Sequence, residues 1–312
     1  MVKLFSGTAS LKLSQEVLKQ LKKPLSKSEV VRFDNSEVRV TIQEKVKGLS
    51  CAVIQSTSNP TDTHLIELFL FADALKRLEA KKIIGIIPYF GYARQNIQHR
   101  PGECISANVI IRFLETIGFD EVYTVDLHDE ATEGIFTIPF HNLSAIPLLA
   151  KSVCNYLSSF NHVEKQKTIV VSPDQGGVER AQQFADAFYE HNHHKNNIEV
   201  AVIEKKRNLD GIHQSKALRL FGNVKNKVVI LVDDLITSGG TLVHAAQLCL
   251  KKGAKKVIAA VVHHDFSPNA ASRLEDSPIE KVFVANTIEL RPEQKFSKLK
   301  EISIAGLIAD QI

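Results

Sequence analysis

Asp233 and Asp234 are adjacent carboxylates at the end of an apolar run, VVILV, and a turn of hydroxyls and glycines, Thr237, Ser238, Gly239, Gly240 and Thr241, follows them. A glycine-hydroxyl turn that opens a helix presents backbone N–H groups at the helix's positive end, a ready cradle for phosphate. The carboxylates would repel that phosphate. They suit hydroxyl groups, or a metal, on the same phosphorylated molecule, so the stretch describes a sugar phosphate. A strand–turn–helix corner with an acidic cap would read equally well from these residues alone.

Other segments carry groups for the rest of a reaction. In residues 33–37 (FDNSE) the Phe33 ring offers a stacking face, and Asn35 and Glu37 offer an amide and a carboxylate two positions apart, able to read the polar edge of a purine. The same residues would also make a surface hairpin turn. In residues 88–95 (PYFGYARQ) Arg94 supplies a planar fork for phosphate or base stacking, and Gly91 permits close backbone approach; an aromatic loop packed between subunits is the alternative. Residues 96–103 (NIQHRPGE) are polar and serve either as a lid or as a long connection.

Asp126 and His128 alternate in VDLHD, and alternate residues of an extended segment point the same way. A carboxylate and an imidazole, with phosphate oxygens and water, suit Mg2+ held on a nucleotide; a structural histidine is the plainer reading. Asp174, in SPDQGG, would hold a metal-bound water or a hydroxyl, or simply cap a helix. Lys205 and Arg207, in EKKR, would neutralise charge on a transferring phosphoryl group, or lie on an exposed basic loop. The histidines 191, 193 and 194 read as a solvated loop, with adventitious metal binding as the alternative, and His263 and His264 receive no role.

These residues need elements to position them. Strand-like and helix-like segments alternate throughout, with strands expected at 2–5, 29–33, 37–42, 50–55, 82–88, 121–126, 168–172, 198–204, 228–232, 257–263 and 281–285. Helices are expected at 10–21, 61–78 (capped by Thr61 or Asp62), 107–116, 146–160, 178–189 and 242–251, while 302–309 fits either type. Strands alternating with helices of roughly 10–15 residues imply an α/β fold with a parallel sheet covered on both faces. In such sheets ligands bind beyond the carboxyl ends of the strands, and each polar loop above follows a strand.

The chain has 312 residues, which at roughly 100–200 per domain suggests two domains. Its 39 basic and 35 acidic residues give a net charge of +4, too balanced for a nucleic-acid binder. Cys51, Cys104, Cys154 and Cys249 are far apart and form no C-x-x-C pair, as in a reduced cytosolic protein. The first ten residues do not read as a signal peptide and no apolar run reaches membrane length, so a soluble cytoplasmic protein with no membrane partner is expected.

Together the motifs resemble a known family. VVILVDDLITSGGT is similar to the phosphoribosyl-diphosphate loop of the type I phosphoribosyltransferase fold. FDNSE, QSTSNPTD, PYFGYARQ, TVDLH, VVSPDQGGVERA and EKKR occur in the order and approximate spacing of ribose-phosphate diphosphokinases, over essentially the full length. The resemblance implies two similar type I phosphoribosyltransferase-like domains, each a mostly parallel sheet flanked by helices: residues 1–145 on the ATP side, with a tail of about 300–312 packing back on it, and 146–299 on the ribose 5-phosphate side. It implies transfer of the diphosphoryl group of Mg-ATP to the C1 hydroxyl of ribose 5-phosphate, for nucleotide biosynthesis.

Roles follow by resemblance. Lys205 and Arg207 match the catalytic pair; Phe33, Asn35, Glu37, Arg94 and Gln95 match ATP contacts; Asp126, His128 and Asp174 match the Mg2+ region. Asp233 and Asp234 would hold the ribose hydroxyls, and Thr237, Ser238, Gly239, Gly240 and Thr241 the 5-phosphate. A homo-oligomer, dimer to hexamer, with the ATP site shared between subunits, is implied as well. The chain departs from the family at Asn96, Ile97 and Gln98, where an acidic and two basic residues are usual, so this loop is less cationic. That departure admits a weak or inactive paralogue that regulates a true synthetase as the alternative; a phosphoribosyltransferase is the third reading.

Overall fold

The computed structural model describes residues 2–98, 100–159, 167–192, 198–206 and 217–312. The chain divides into two compact units: unit 1 is Met1–Ser144, Thr287–Glu289 and Ser303–Ile312, and unit 2 is Ala145–Asn286 and Leu290–Ile302. Among the described residues no helix is long and apolar enough to cross a membrane.

Unit 1 contains β1 (Val2–Ser6), α1 (Leu11–Leu21), β2 (Ser28–Arg32), β3 (Val38–Ile42), β4 (Ser50–Ile54), α2 (Thr61–Arg77), β5 (Lys82–Ile87), α3 (Ser106–Ile117), β6 (Glu121–Val125) and β7 (Phe140–Leu143). The sheet order is β1-β4-β5-β6-β7, all parallel, and β2 and β3 form a separate antiparallel hairpin. Strand residues alternate between faces. Phe5, Cys51, Val53, Ile83, Ile87 and Val122 cluster with Leu68, Phe71 and Leu75 of α2 and Ile111 and Leu114 of α3. The intervening Leu4, Ala52, Ile54 and Ile86 are buried too, as are Leu13, Val17 and Leu18 of α1.

Unit 2 contains α4 (Ile146–Ser158), β8 (Thr168–Ser172), α5 (Val178–His191), β9 (Glu199–Lys206), β10 (Ala217–Phe221), β11 (Val228–Ile236), α6 (Gly240–Lys251), β12 (Lys256–His264), α7 (Ala270–Glu275), β13 (Lys281–Ala285) and β14 (Leu299–Ile302). Its seven strands run β10-β9-β8-β11-β12-β13-β14, with β10 antiparallel and the rest parallel. Val229 and Leu231 join a cluster with Leu242, Ala245 and Cys249 of α6; Val228, Ile230 and Val232 are equally buried on the other face. A continuous apolar run is what a strand covered on both sides requires, and each such side chain contributes roughly 1.5–3 kcal/mol.

Some elements differ from expectation. β11 does not stop at Val232: Asp233 pairs with Val261, Leu235 with His263 and Ile236 with His264, so the carboxylates lie within the strand. The long neighbour β12 supplies the ladder that carries them. The N-cap of α2 is Pro60, which places Thr61 and Asp62 inside the first turn; Asp62 instead accepts a hydrogen bond from Tyr92 Oη at 2.5 Å. The stretch 302–309 contains the end of β14 and then a short helix, α8 (Ala305–Ala309), which packs against α1 in unit 1. Ser303 Oγ fixes this tail by donating to Glu16 Oε2 at 2.6 Å. The short strands β7, β10 and β14 were not expected.

Candidate active site

In unit 2 the candidate groups gather where β8 and β11 end. Because β8 and β11 are adjacent and parallel, the turn after β8 and the acidic end of β11 come to the same edge of the sheet. The turn 173–177 is locked internally: Ser172 Oγ donates to the Asp174 carbonyl at 2.6 Å, and Asp174 Oδ1 accepts the Gly177 N–H at 3.1 Å. Asp174 therefore shapes the turn. The cap position of α5 is Gly177, with no side-chain cap bond.

Asp233 Oδ1 accepts the backbone N–H of Asp234 at 3.0 Å. The Asp233 carboxyl is held well above the usual carboxylate range, first by burial, then by the charge and hydrogen bonding of Asp234, then by Asp174; Arg180 opposes the shift. Arg180 Nη1 lies 3.5 Å from Asp234 Oδ1, in an ion pair whose side chains are only 14% and 9% exposed. Two adjacent carboxylates in a low dielectric resist double ionisation, and a cation beside them is the direct remedy.

The glycine-hydroxyl turn follows immediately. Gly239 has φ +74°, a conformation that favours glycine, and a Cβ there would meet Leu274 Cγ at 3.1 Å. Gly240 begins α6. The turn is tied down from outside: Arg273 Nη1 donates to the Ser238 carbonyl at 2.9 Å, and the Ser267 N–H to the Thr237 carbonyl at 3.1 Å. The result is a braced helix opening, with Thr237 and Ser238 in the turn before it and Thr241 in its first turn. Lys205 belongs to the backbone of β9; its side chain, and Arg207 altogether, lie outside the described residues.

In unit 1, Phe33, Asn35 and Glu37 form the exposed tip of the β2–β3 hairpin. Asn35 Oδ1 accepts the Glu37 N–H at 3.2 Å, Ser36 turns the chain with φ +71°, and the Arg39 guanidinium lies 5.6 Å from the centre of the Phe33 ring. The tip thus presents an aromatic face and polar groups to solvent.

The loop after β5 is anchored at Gly91, whose N–H donates to Thr57 Oγ1 at 2.7 Å; a Cβ would sit 2.4 Å from the Thr57 carbonyl oxygen. Phe90 and Ala93 are buried, while Arg94 and Gln95 are exposed. Gln95 Oε1 accepts from Ser106 Oγ at 2.5 Å.

After β6, Asp126 turns the chain with φ +41° and its Oδ1 accepts from Ser144 Oγ at 2.9 Å; His128 is exposed. Asn96 Nδ2 donates to Asp129 Oδ2 at 2.5 Å, tethering the PYFGYARQ loop to the VDLHD segment. Asp126 and His128 belong to unit 1 and Asp174 to unit 2. Among the described residues no group of three or more His, Cys, Asp or Glu side chains is arranged to hold a metal ion.

No chemistry-bearing spacing marks Arg180, Arg273, Ser144 or Asp129 in the sequence. The one signal is that Arg180 stands within VVSPDQGGVERA, in the first turn of the helix that leaves the candidate turn.

A family model for the N-terminal domain of ribose phosphate pyrophosphokinase matches residues 2–118, and one for a phosphoribosyl synthetase-associated domain matches 189–312. The chain is 36% identical to a ribose-phosphate pyrophosphokinase of Fusobacterium nucleatum over 100% of its own length and 94% of the relative's. It is 35% identical to that of Bacillus subtilis, over 100% and 93%. In three dimensions it matches the crystal structure of phosphoribosylpyrophosphate synthetase from Mycobacterium smegmatis with a TM-score of 0.89 and 34% identity, covering 99% of this chain and 97% of that one. The α/β fold of two phosphoribosyltransferase-like domains is thereby established. A likeness of this extent, running the full length of the chain, makes it a member of the ribose-phosphate pyrophosphokinase family.

Proposed function

We propose that this chain makes 5-phosphoribosyl 1-diphosphate and AMP from Mg-ATP and ribose 5-phosphate. The observation that carries the reading is the braced α6 opening directly after the Asp233–Asp234 carboxylate pair, in a chain similar over its full length to ribose-phosphate pyrophosphokinases. The α6 backbone and the hydroxyls of Thr237, Ser238 and Thr241 bind the 5-phosphate. Asp233 and Asp234 accept hydrogen bonds from the ribose hydroxyls and so orient the sugar. Phe33, Asn35 and Glu37 hold adenine; Arg94 and Gln95 hold the nucleotide.

The C1 hydroxyl oxygen of ribose 5-phosphate attacks the β-phosphorus of ATP and gives up its proton to solvent, the bond from that phosphorus to the α–β bridging oxygen breaks, and AMP leaves with the electron pair. Lys205 and Arg207 stabilise the charge on the transferred group. Positioning and charge neutralisation supply catalysis of this kind, and no nucleophilic side chain is needed. Asp126 and His128 offer oxygen and nitrogen donors at a strand end, which suits Mg2+ arriving with ATP, since that ion keeps phosphate and water ligands and needs few from protein. Bound there, it would neutralise the triphosphate. Cytoplasmic location and a homo-oligomer sharing ATP sites between subunits complete the proposal.

The test is AMP release from ATP by the purified protein. AMP is expected only when ribose 5-phosphate and Mg2+ are both present, and Lys205→Ala is expected to lower kcat by at least about a hundredfold. A folded protein that forms no AMP under these conditions refutes the proposal.

A further inference from the structure

The first turn of α5 holds a group that the proposed reaction has not used. Arg180 is the third residue of that helix, and its Nη1 lies 3.5 Å from Asp234 Oδ1. The approach depends on the local backbone. A Cβ at Gly177 would stand 2.8 Å from Ser172 Oγ and 3.6 Å from Arg180 Nη1, so a larger residue would push the helix start off the turn. The carboxylate cluster supplies the reason for a cation: Asp174 and Asp234 both add negative charge around Asp233, and Arg180 acts against them.

A guanidinium cannot lose its proton in a protein and presents a rigid planar fork. Beside a carboxylate it fixes both charge and orientation. To hold ribose, Asp234 accepts hydrogen bonds from neutral hydroxyl donors, and its acceptor oxygens must point in a set direction. We infer that Arg180 is a positioning residue for the sugar, acting through Asp234 to keep that carboxylate aimed at the ribose hydroxyls. The inference rests on the proposed function and deepens its acceptor half. Arg180 touches Asp234 and is given no contact with the transferred phosphoryl group.

The experiment uses the full-length protein and measures steady-state KM for each substrate, with calorimetric titration of ribose 5-phosphate in the absence of ATP. Arg180→Gln is expected to raise KM and Kd for ribose 5-phosphate by about thirtyfold, the scale of breaking one partner of a buried charge pair, and to leave KM for ATP within about twofold. Arg180→Lys, which keeps charge and loses the fork, is expected to fall between. In an Asp234→Asn background, Arg180→Gln is expected to add less than about threefold, because coupled residues are not additive.

Equal shifts in both KM values, an unchanged Kd for ribose 5-phosphate, or a full thirtyfold loss in the Asp234→Asn background each overturns the inference. Should Arg180→Gln fail to fold, as judged by circular dichroism, Arg180→Lys with wild-type affinity for ribose 5-phosphate would overturn it on its own. A wild-type protein that binds no ribose 5-phosphate defeats both this inference and the proposed function, whereas wild-type binding with an unaffected variant defeats the inference alone.

Discussion

The Gly239→Ala substitution tests whether the candidate phosphate turn is built as described. Gly239 has φ +74°, and its added Cβ would meet Leu274 Cγ at 3.1 Å and Cδ2 at 3.2 Å. Placing alanine in the left-handed region costs roughly 1–2 kcal/mol. Leu274 is fully buried in the unit 2 core, so it cannot swing into solvent, and forcing an extra carbon against it costs roughly 1–3 kcal/mol. The sum, roughly 2–5 kcal/mol, is a large share of the roughly 5–15 kcal/mol that holds a domain folded.

Gly240→Ala is the control one residue away. Its Cβ would lie 3.6 Å from Ser238 Oγ and 3.7 Å from Arg273 Nη1, ordinary contacts, and its φ is not positive. Alanine at that helical position should leave stability unchanged or raise it by up to about 1 kcal/mol. Urea unfolding followed by circular dichroism reads the stabilities; AMP release reads the two KM values. Gly239→Ala is expected to be the less stable protein and to lose ribose 5-phosphate affinity with ATP affinity retained. Equal stability of the two variants, or a Gly239→Ala protein as stable as wild type, would show that the turn does not need the left-handed glycine.

Asp233→Asn is expected to melt above wild type at pH 8 while abolishing turnover. A carboxyl whose pKa is raised by folding favours the folded state while protonated, fully so below its unfolded value near about 3.9, and that contribution is lost as pH rises through the folded value. The ionised form at pH 8 is thus a burden that the neutral amide lacks, and the advantage of the variant should shrink as the melt is repeated toward pH 5; a variant less stable than wild type at every pH contradicts the argument. Asn96→Asp would set a second carboxylate against Asp129 Oδ2, now 2.5 Å from the Asn96 amide nitrogen. Both groups are partly exposed, so the repulsion is screened to about 1 kcal/mol; KM for ATP should rise about fivefold at low salt and recover at high salt, and a tighter KM would refute the tether.

What the sequence disclosed about this site was whatever depends on neighbours in the chain. The hydroxyls and glycines of 237–241 carry their chemistry in their order, and the apolar run before Asp233 declared a strand buried on both faces. The hairpin bearing Phe33 was legible from two short runs around a turn. The limits of β11 were not, because the strand continues through two carboxylates only where β12 offers a ladder as far as His264. Strands β7 and β14, FHNL and LKEI, span four residues each and are only half-buried, too short for a period of two to declare itself. The tail was ambiguous for a similar reason: β14 and α8 are both short and separated by two residues.

Tertiary pairs explain the rest. Arg180 and Asp234 meet because β8 and β11 are neighbours in the sheet, which delivers the start of α5 to the end of β11. Arg273 reaches Ser238 from α7, and Ser144 reaches Asp126 from the far side of β7. None of these pairs has a spacing that a single sequence can reveal, and each holds a residue that a sequence motif had singled out. The candidate substrate contacts lie in the loops, whereas the groups that brace those loops depend on the order of the strands. That division also locates the sensitive test: a change at Arg180 leaves the loop residues 173–177 and 237–241 intact, so a loss confined to ribose 5-phosphate would trace function to the sheet order itself.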